Sequence, residues 1–408
     1  MDLVISNAVV PGRSGQWAIA IQQGYITHIE PTLAVDAHEM MDADGKLVIP
    51  GLVDAHFHLD KVRLLDRCLA STGNFQEALE QTLRAKKSFT VDDIQTRASQ
   101  HIEHAISFGT TAMRSHVEVD PSIGLTGMQA LVPLRDRYRK RLTLQLAVFA
   151  QEGITQHSDV ADLLHQAMKM GGDVIGSAPY VDPDPVQNIR IIFDLAEEFD
   201  CDVDFHLDFL DNSEPLVVPT VIEETHRRGW RGRVCLGHMT KLAALEPEAL
   251  GAIATQLAEA DIAVLALPAS DLYMMGRNDT HNQRRGVAPM HRLSEAGVTT
   301  GIATNNVQNL FTPFGDGDML KICTLIAQVL HLGTPQHHEF CLAMATTNAA
   351  KAMGLSHYGL QPGCRADLVI LDAHTVSDAI GTAPIERTVI KNGTIIAQRR
   401  VSQYLLEI

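Results

Sequence analysis

His56 and His58 come directly after the apolar run Val48-Ile49-Pro50-Gly51-Leu52-Val53, and a single apolar residue separates them. On a strand, side chains two positions apart share a face, so both imidazoles point the same way. Two imidazoles on one face suit a divalent metal ion. A lone histidine is usually a surface residue or a hydrogen-bonded core residue, and this chain has 19 histidines. A metal site therefore requires further ligands from later strands.

Two later apolar runs also end in histidine, His206 in Val203-Asp204-Phe205-His206 and His238 in Val234-Cys235-Leu236-Gly237-His238. The C-terminal ends of parallel strands meet at one rim of a barrel. Four imidazoles at one rim predict a zinc or iron site that leaves a position open for water.

The elements that must position these histidines form a repeat. Eight β-like runs alternate with helical patterns between residues 51 and 358, which predicts an α/β fold, a distorted (β/α)8 TIM barrel. We expect one helix near 337–353 and a long loop after the seventh strand, which contains His281, Arg284 and Arg285.

Both chain ends have a different sequence pattern, in which short segments of alternating apolar and polar residues are separated by turn residues. One such turn, Asn392-Gly393, is typical of a hairpin. Neither end has enough strands to stand alone, so we expect the two to pair into one small β-sandwich. The predicted domains are residues 1–50 and 359–408 for the sandwich and 51–358 for the hydrolase barrel.

Composition narrows the classes of partner. A net charge of −16 argues against binding to nucleic acid or an anionic membrane surface, which requires basic patches. The six cysteines form no Cys-x-x-Cys pair, and we interpret them as reduced core thiols. No signal-peptide pattern and no apolar stretch of about 18 residues is present, so we expect a cytoplasmic protein. We also expect a homo-oligomer that acts on a small molecule.

Several stretches together resemble the amidohydrolase superfamily, most closely its cytosine deaminase-like branch. The resemblance rests on 50–60, on Arg114 to Asp120, on Ala147 to Gly153, on Arg284-Arg285-Gly286 and on 313–319. The branch also takes in triazine aminohydrolases and chains like molinate hydrolase. The resemblance implies that His56, His58 and His206 are metal ligands, that His238 contacts the bound water or the substrate, and that Gln151 contacts the substrate.

Metal number follows from a comparison within that family. Two-metal members have a carboxylated lysine at the end of the fourth strand, where this chain reads Gly176-Ser177-Ala178-Pro179-Tyr180. We therefore expect one divalent metal ion, zinc or iron, with manganese as a further candidate.

Two positions depart from the family pattern. Asn305 stands where the family has an aspartate after the eighth strand, and Phe209 stands where cytosine deaminases have a glutamate. Asparagine can offer its carbonyl oxygen as a neutral metal ligand, but it has no useful basicity. The usual acid and base are therefore both absent.

Other residues are candidates for these roles. Asp208 lies two residues past His206 and shares its face if the strand continues. His238 can itself accept a proton near neutral pH. His281 and Arg285 are candidate substrate contacts. We expect Asp316 and Asp318 to cap a helix, and Asp120 to hold His116 or a loop.

The predicted function is hydrolysis of a C–N bond in a small polar heterocycle, amide or carbamate by metal-bound hydroxide. The missing acid and base leave two alternatives open. One is a thiocarbamate or alkylamino substrate with a good leaving group. The other is a metal-binding barrel with little activity, and a barrel without metal is a more remote reading.

Overall fold

A computed structural model describes residues 1–211, 215–402 and 404. Its strands divide into two sheets. The N-terminal strands are β1 (Leu3–Val9), β2 (Gln16–Gln22), β3 (Tyr25–Glu30), β4 (Glu39–Asp42) and β5 (Leu47–Pro50). The central strands are β6 (Leu52–Phe57), β7 (Thr110–Glu118), β8 (Thr143–Ala150), β9 (Val174–Ser177), β10 (Asp202–Leu207), β11 (Val234–His238), β12 (Ile262–Ala266) and β13 (Thr300–Ile302). The C-terminal strands are β14 (Leu368–Leu371), β15 (Arg387–Lys391) and β16 (Thr394–Arg399).

The central strands pair in parallel in the order in which they occur in the sequence, from β6 to β13. The first and last strands meet at Asn305, whose backbone N–H donates to the carbonyl of His56 at 2.9 Å. The Asn305 carbonyl accepts from the N–H of His58 at 3.1 Å. The predicted barrel is confirmed, and its closure places Asn305 between the two histidines of β6.

Helices follow most of the barrel strands. They are α1 (Phe75–Lys86), α2 (Val91–Ser107), α3 (Thr126–Tyr138), α4 (Val160–Lys169), α5 (Pro185–Phe199), α6 (Val218–Arg228), α7 (Pro247–Glu259), α8 (Pro268–Met274), α9 (Met290–Glu295), α10 (Met319–Val329), α11 (Pro335–Met344), α12 (Thr347–Ala352) and α13 (Val376–Thr382). No helix among the described residues is long and apolar enough to cross a membrane.

Two helix predictions were wrong. The single helix expected near 337–353 is two helices, because Thr346 leaves the helical region with φ −134° and ψ −100°. The loop expected after the seventh strand begins with the short helix α8, which Pro268 starts at its first position. This helix carries three residues of the candidate site, Ser270, Asp271 and Met274.

The second sheet combines both chain ends in the order β16-β15-β14-β5-β1-β2-β3, with β4 also paired to β1. The predicted union of the two ends is confirmed. The sheet is not wholly antiparallel, since β1 pairs in parallel with β4 and β5. The exact domain limits stay a prediction, and residues 403 and 405–408 lie outside the described part of the chain.

Buried ion pairs join this sheet to the barrel. The Arg387 guanidinium on β15 donates to both carboxylate oxygens of Asp318 at 2.7 Å, and both side chains are almost completely buried. Asp318 also accepts from the N–H of Leu320 at the start of α10, which confirms its predicted capping role. Asp316 accepts from the N–H of Asp318 at 3.2 Å, just before that helix.

Candidate metal centre and pocket

Three buried imidazoles converge at the C-terminal rim of the barrel. The Nε2 atom of His206 lies 3.1 Å from Nε2 of His56 and 3.0 Å from Nε2 of His58. Burial lowers the pKa of each imidazole well below its usual value, and the neighbouring histidines lower it further. The three rings are therefore neutral, which is the form that binds a metal ion.

The spacing of these nitrogens fits a shared metal ion. Two nitrogens bound to one ion at about 2.0–2.1 Å lie at most about 4 Å apart, and both observed separations are shorter. A neutral imidazole has only one N–H, so three nitrogens facing one point cannot all be satisfied by each other. A cation at that point satisfies all three lone pairs.

Glycine at position 237 makes room for His56. A Cβ atom at Gly237 would lie 2.6 Å from Cε1 and 2.8 Å from Nδ1 of the His56 ring. Contacts under 3.0 Å require one partner to move, and the His56 ring is packed against other rings on several sides. The small residue on β11 is thus part of what positions the metal ligand on β6.

Asn305 presents an amide oxygen to the same pocket. Its Nδ2 donates to Ser270 Oγ at 2.9 Å, and Ser270 Oγ in turn pairs with Thr312 Oγ1 at 2.5 Å. Asn305 Oδ1 is buried and has no hydrogen-bond partner among the described residues. The backbone of Asn305 is left-handed, with φ 60°, a conformation that asparagine tolerates. An unpartnered buried carbonyl oxygen fits a neutral metal ligand.

His238 is held by a carboxylate that the sequence analysis missed. Its Nδ1 lies 2.7 Å from Asp271 Oδ1 on α8, and Asp271 Oδ2 accepts from the N–H of Leu267 at 2.9 Å. Burial raises the pKa of Asp271, while its contact with His238 opposes that change. The carboxylate fixes the Nδ1–H tautomer of His238, which leaves Nε2 free to accept a proton. The short helix α8, hidden in the expected loop, explains why Asp271 was overlooked.

A second group of buried polar side chains, His116, Asp204 and Arg114, packs behind the three ligands. His116 on β7 packs on His56 with ring centroids 4.0 Å apart, and its Nε2 lies 3.2 Å from Asp204 Oδ1. Asp204 also accepts from Arg114 at 2.8 Å and lies 3.7 Å from His56 Nδ1. Although burial alone would raise the pKa of Asp204, the contacts with His116, His56 and Arg114 lower it. The alternation of Arg114, Ser115 and His116 on a strand was the available signal for this group.

The pocket above the histidines is small and partly aromatic. Gln151 directly follows β8 and lines it, as the sequence analysis expected of a substrate contact. Phe209 also lines the pocket, with its ring 4.4 Å from that of His238. The remaining wall is formed by Lys61, Phe75, Tyr180, Ser270, Met274, Asn306 and Phe311.

Lys61 enters the pocket from a buried ionic cluster. Its Nζ lies 2.5 Å from Glu118 Oε1, and Lys86 Nζ lies 2.5 Å from the other oxygen of Glu118. Although burial would raise it, the two lysines lower the pKa of Glu118 to about 2. Lys86 also contacts Asp120 and Glu152. Asp120 thus holds this cluster and the N–H of Glu152 rather than His116.

Asp208 does not line this pocket. The chain turns at Asp208, where φ is 44°, so its side chain no longer shares the face of His206. Its two carboxylate oxygens accept from the N–H groups of Val217 and Val218 at the start of α6. The geometry assigns it to holding that helix, in place of the catalytic role we expected.

His281 and Arg285 do not line the pocket either. His281 is exposed, and its Nδ1 pairs with the hydroxyl of Thr280 at 3.2 Å. Arg285 donates to the carbonyl of Val329 at 2.9 Å and lines a different groove, together with His291 and His331. The expected substrate contacts are thus displaced because the segment after α8 is held by hydrogen bonds to Asp211 and to Val329 of α10.

Comparison with known proteins agrees with this geometry. The sequence profile of the Amidohydrolase family matches residues 67–397. The chain is 28% identical to the N-isopropylammelide isopropyl amidohydrolase of Pseudomonas sp. strain ADP, over 98% of each chain. It is 27% identical to the pterin deaminase of Rhizobium rhizogenes, over 96% of this chain and 93% of the relative. The structure of 5-methylcytosine deaminase from Klebsiella pneumoniae superposes with a TM-score of 0.93 at 28% identity, over 99% of both chains.

Proposed function

The chain belongs to the amidohydrolase family, and we propose that it hydrolyses a C–N bond of a small polar heterocycle with one bound divalent metal ion. The observation that carries the proposal is the convergence of three imidazoles beside the pocket, where Nε2 of His56 and Nε2 of His58 each lie within 3.1 Å of Nε2 of His206. Similar proteins of nearly the same length are named for hydrolysis at such bonds.

We assign the metal ligands to His56, His58, His206 and Asn305. Three imidazole nitrogens and one amide oxygen suit zinc, and iron or manganese is compatible with the same atoms. When bound, such an ion lowers the pKa of a coordinated water and polarises the group under attack.

His238 is the proton acceptor in this proposal. Asn305 replaces the usual carboxylate after β13, and its amide has no basicity at neutral pH. His238 lines the pocket with Nε2 free, and Asp271 stabilises the imidazolium formed when that nitrogen takes a proton. The base has therefore moved from the end of β13 to the end of β11.

Lys61 supplies the matching acid. Its ammonium group lies at the pocket wall beside Glu118, in a position to donate a proton to the departing nitrogen. Phe209 cannot fill that role, since its ring has no ionisable group. His238 and Lys61 together replace the lost pair.

The pocket wall around Phe209 favours a leaving group with an apolar substituent. Phe209 packs 5.4 Å from Phe75 and 5.6 Å from Tyr180, which forms an apolar wall next to His238. Ammonia gains nothing from such a wall, whereas an alkylamino or thiocarbamate group buries its carbon atoms there. An N-alkylated heterocycle is thus preferred over a simple aminopyrimidine.

A second candidate is a metal-binding barrel with little activity. The specific observation in its favour is the replacement of both usual proton-transfer groups, at Asn305 and Phe209. It predicts full metal occupancy without turnover of any C–N substrate.

A substrate panel separates these candidates. Zinc-loaded protein is assayed for release of ammonia, amine or thiol from aminopyrimidines, alkylaminotriazines and thiocarbamates. His206→Asn is the matched control because it keeps the fold but loses a ligand. Turnover by the parent protein and not by the control supports hydrolysis. Metal-replete protein that converts no member of the panel supports the inactive barrel. Cytosine turned over faster than every alkylamino or thiocarbamate substrate contradicts the proposed leaving group.

Cytoplasmic location and homo-oligomeric assembly remain predictions from the sequence.

A further inference from the structure

The pocket is free of carboxylates in a strongly acidic protein. The chain has a net charge of −16, yet no aspartate or glutamate occurs among the described residues that line the pocket. Lys61 is the one lysine or arginine side chain among the described residues that line it. An acidic protein that keeps carboxylates out of its pocket has a local field that favours anions.

Resting on the proposed metal-dependent function, we propose that the pocket binds its substrate as an anion: a planar cyclic ureide whose negative charge is delocalised over ring oxygen and nitrogen atoms. This specifies the charge state and ring class of the substrate, which hydrolysis of a C–N bond alone leaves open.

The metal side of the pocket keeps its full positive charge. His56, His58 and His206 are neutral donors, and Asn305 contributes an amide oxygen where a carboxylate would cancel one unit of charge. The hydrogen bond from Asn305 Nδ2 to Ser270 keeps Oδ1 directed away from Ser270. A divalent ion held by four neutral ligands has a net charge of about +2 and attracts an anionic oxygen.

The opposite wall supplies a second cation. Lys61 lies 2.5 Å from Glu118, but Glu118 is shared equally with Lys86, so its one negative charge faces two ammonium groups. Lys86 is turned away from the pocket toward Asp120 and Glu152. Lys61 thus retains positive charge on the pocket side, and its Nζ lies 4.8 Å from the centre of the Phe311 ring.

Asp271 and Asp204, two buried carboxylates near the histidines, are matched by positive or polar groups, whereas Asp60 beside Lys61 accepts from the N–H of Glu118 with one oxygen and has no hydrogen-bond partner for the other among the described residues. Asp271 is bound by His238 and by a backbone N–H, and Asp204 is bound by Arg114 and lies against His116. Neither lines the pocket.

The walls between the two cations fit a flat ring. Phe75, Tyr180, Phe209 and Phe311 surround the space, with Phe75 and Phe311 ring centroids 6.2 Å apart. Gln151 offers both a donor and an acceptor to the ring edge.

Binding of two non-reacting rings tests the inference. Barbiturate is an anion at neutral pH, and uracil is a neutral ring of the same size. Both are titrated by calorimetry into zinc-loaded protein whose metal content has been measured. We expect barbiturate to bind at least about tenfold more tightly, the value expected for one charge-assisted hydrogen bond.

Variants locate the source of the preference. Lys61→Met and Asn305→Asp should each weaken barbiturate at least about tenfold and change uracil by less than about threefold. Lys61→Arg, which keeps the charge, should retain the preference. Equal affinity of the parent protein for barbiturate and uracil overturns the inference. An equal loss of affinity for both compounds in Lys61→Met also overturns it. Because binding is measured without turnover, absence of hydrolysis contradicts the proposed function but does not affect the measured preference for the anion.

Discussion

At the scale of single residues, the proposed mechanism depends on His238 accepting the proton while Asp271 holds its ring in the required tautomer. Asp271→Asn keeps the shape of the side chain but favours the wrong histidine tautomer. We expect kcat to fall about 100-fold or more, with metal content unchanged. Asp208→Asn is the matched control, because Asp208 is also a buried carboxylate that follows a barrel strand. Its loss should lower stability and spare kcat. Equal losses of kcat in both variants would refute the assignment.

Buried His101 predicts a pH effect on stability that is independent of the metal site. Its ring stacks on Phe57 at 4.2 Å, and neither nitrogen has a hydrogen-bond partner among the described residues. Burial lowers the pKa of His101 to about 3. Between about pH 6.5 and 3 the unfolded chain binds a proton at this position that the folded chain does not. Stability is therefore complete above pH 6.5 and is lost as the pH falls.

The size of that effect is measurable with His101→Gln, which does not titrate. The parent protein should lose up to about 1.4 kcal/mol more per pH unit than the variant below pH 6. Urea unfolding at several pH values gives both slopes. Parallel slopes would show that His101 protonates equally in the two states.

Residue types and spacing predicted part of the site. The sequence identifies four of the site histidines because they lie at the ends of β-like runs: His56, His58, His206 and His238. It does not identify Ser270 and Asp271, since they lie on a two-turn helix inside a segment with loop-like composition. Asp208 was misplaced because its left-handed backbone breaks the alternation that the sequence argument assumed.

At the scale of elements, the site needs the His56 ring on β6 to approach Gly237 on β11 closely. Gly237→Ala places a methyl group within 2.6 Å of the His56 ring, so the ring must move or the strands must separate. We expect zinc affinity to fall about 10- to 100-fold, the range seen when groups that orient a ligand are removed. Competition with a chelator of known affinity measures the change. Gly251→Ala, at a position with open space around its Cα, is the control and should leave zinc affinity unaltered.

The alternation of strands and helices was readable because apolar β-branched runs and helical periods are local signals. The break at Thr346 and the parallel pairing of β1 with β5 were not readable, since both depend on contacts between distant segments. Tertiary packing decides such cases.

At the scale of the whole molecule, Arg387 ties the terminal sheet to the barrel. Arg387→Ala leaves the buried Asp318 without its cation and weakens the start of α10. We expect unfolding free energy to drop by about 3–5 kcal/mol, as for other buried pairs broken on one side. Lys321→Ala is the control, because its pair with Asp316 is partly exposed and should contribute about 1 kcal/mol or less. A change under about 1 kcal/mol in Arg387→Ala would show that the two sheets are not coupled there.

The proposed function requires one metal ion per chain where His56, His58 and His206 converge. Metal-free protein is titrated with zinc while hydrolysis of the best substrate of the panel is followed. We predict that activity rises linearly and stops at one equivalent per chain, and that His206→Asn shows no rise. Full activity in chelator-treated protein, or a break at two equivalents, would contradict the account.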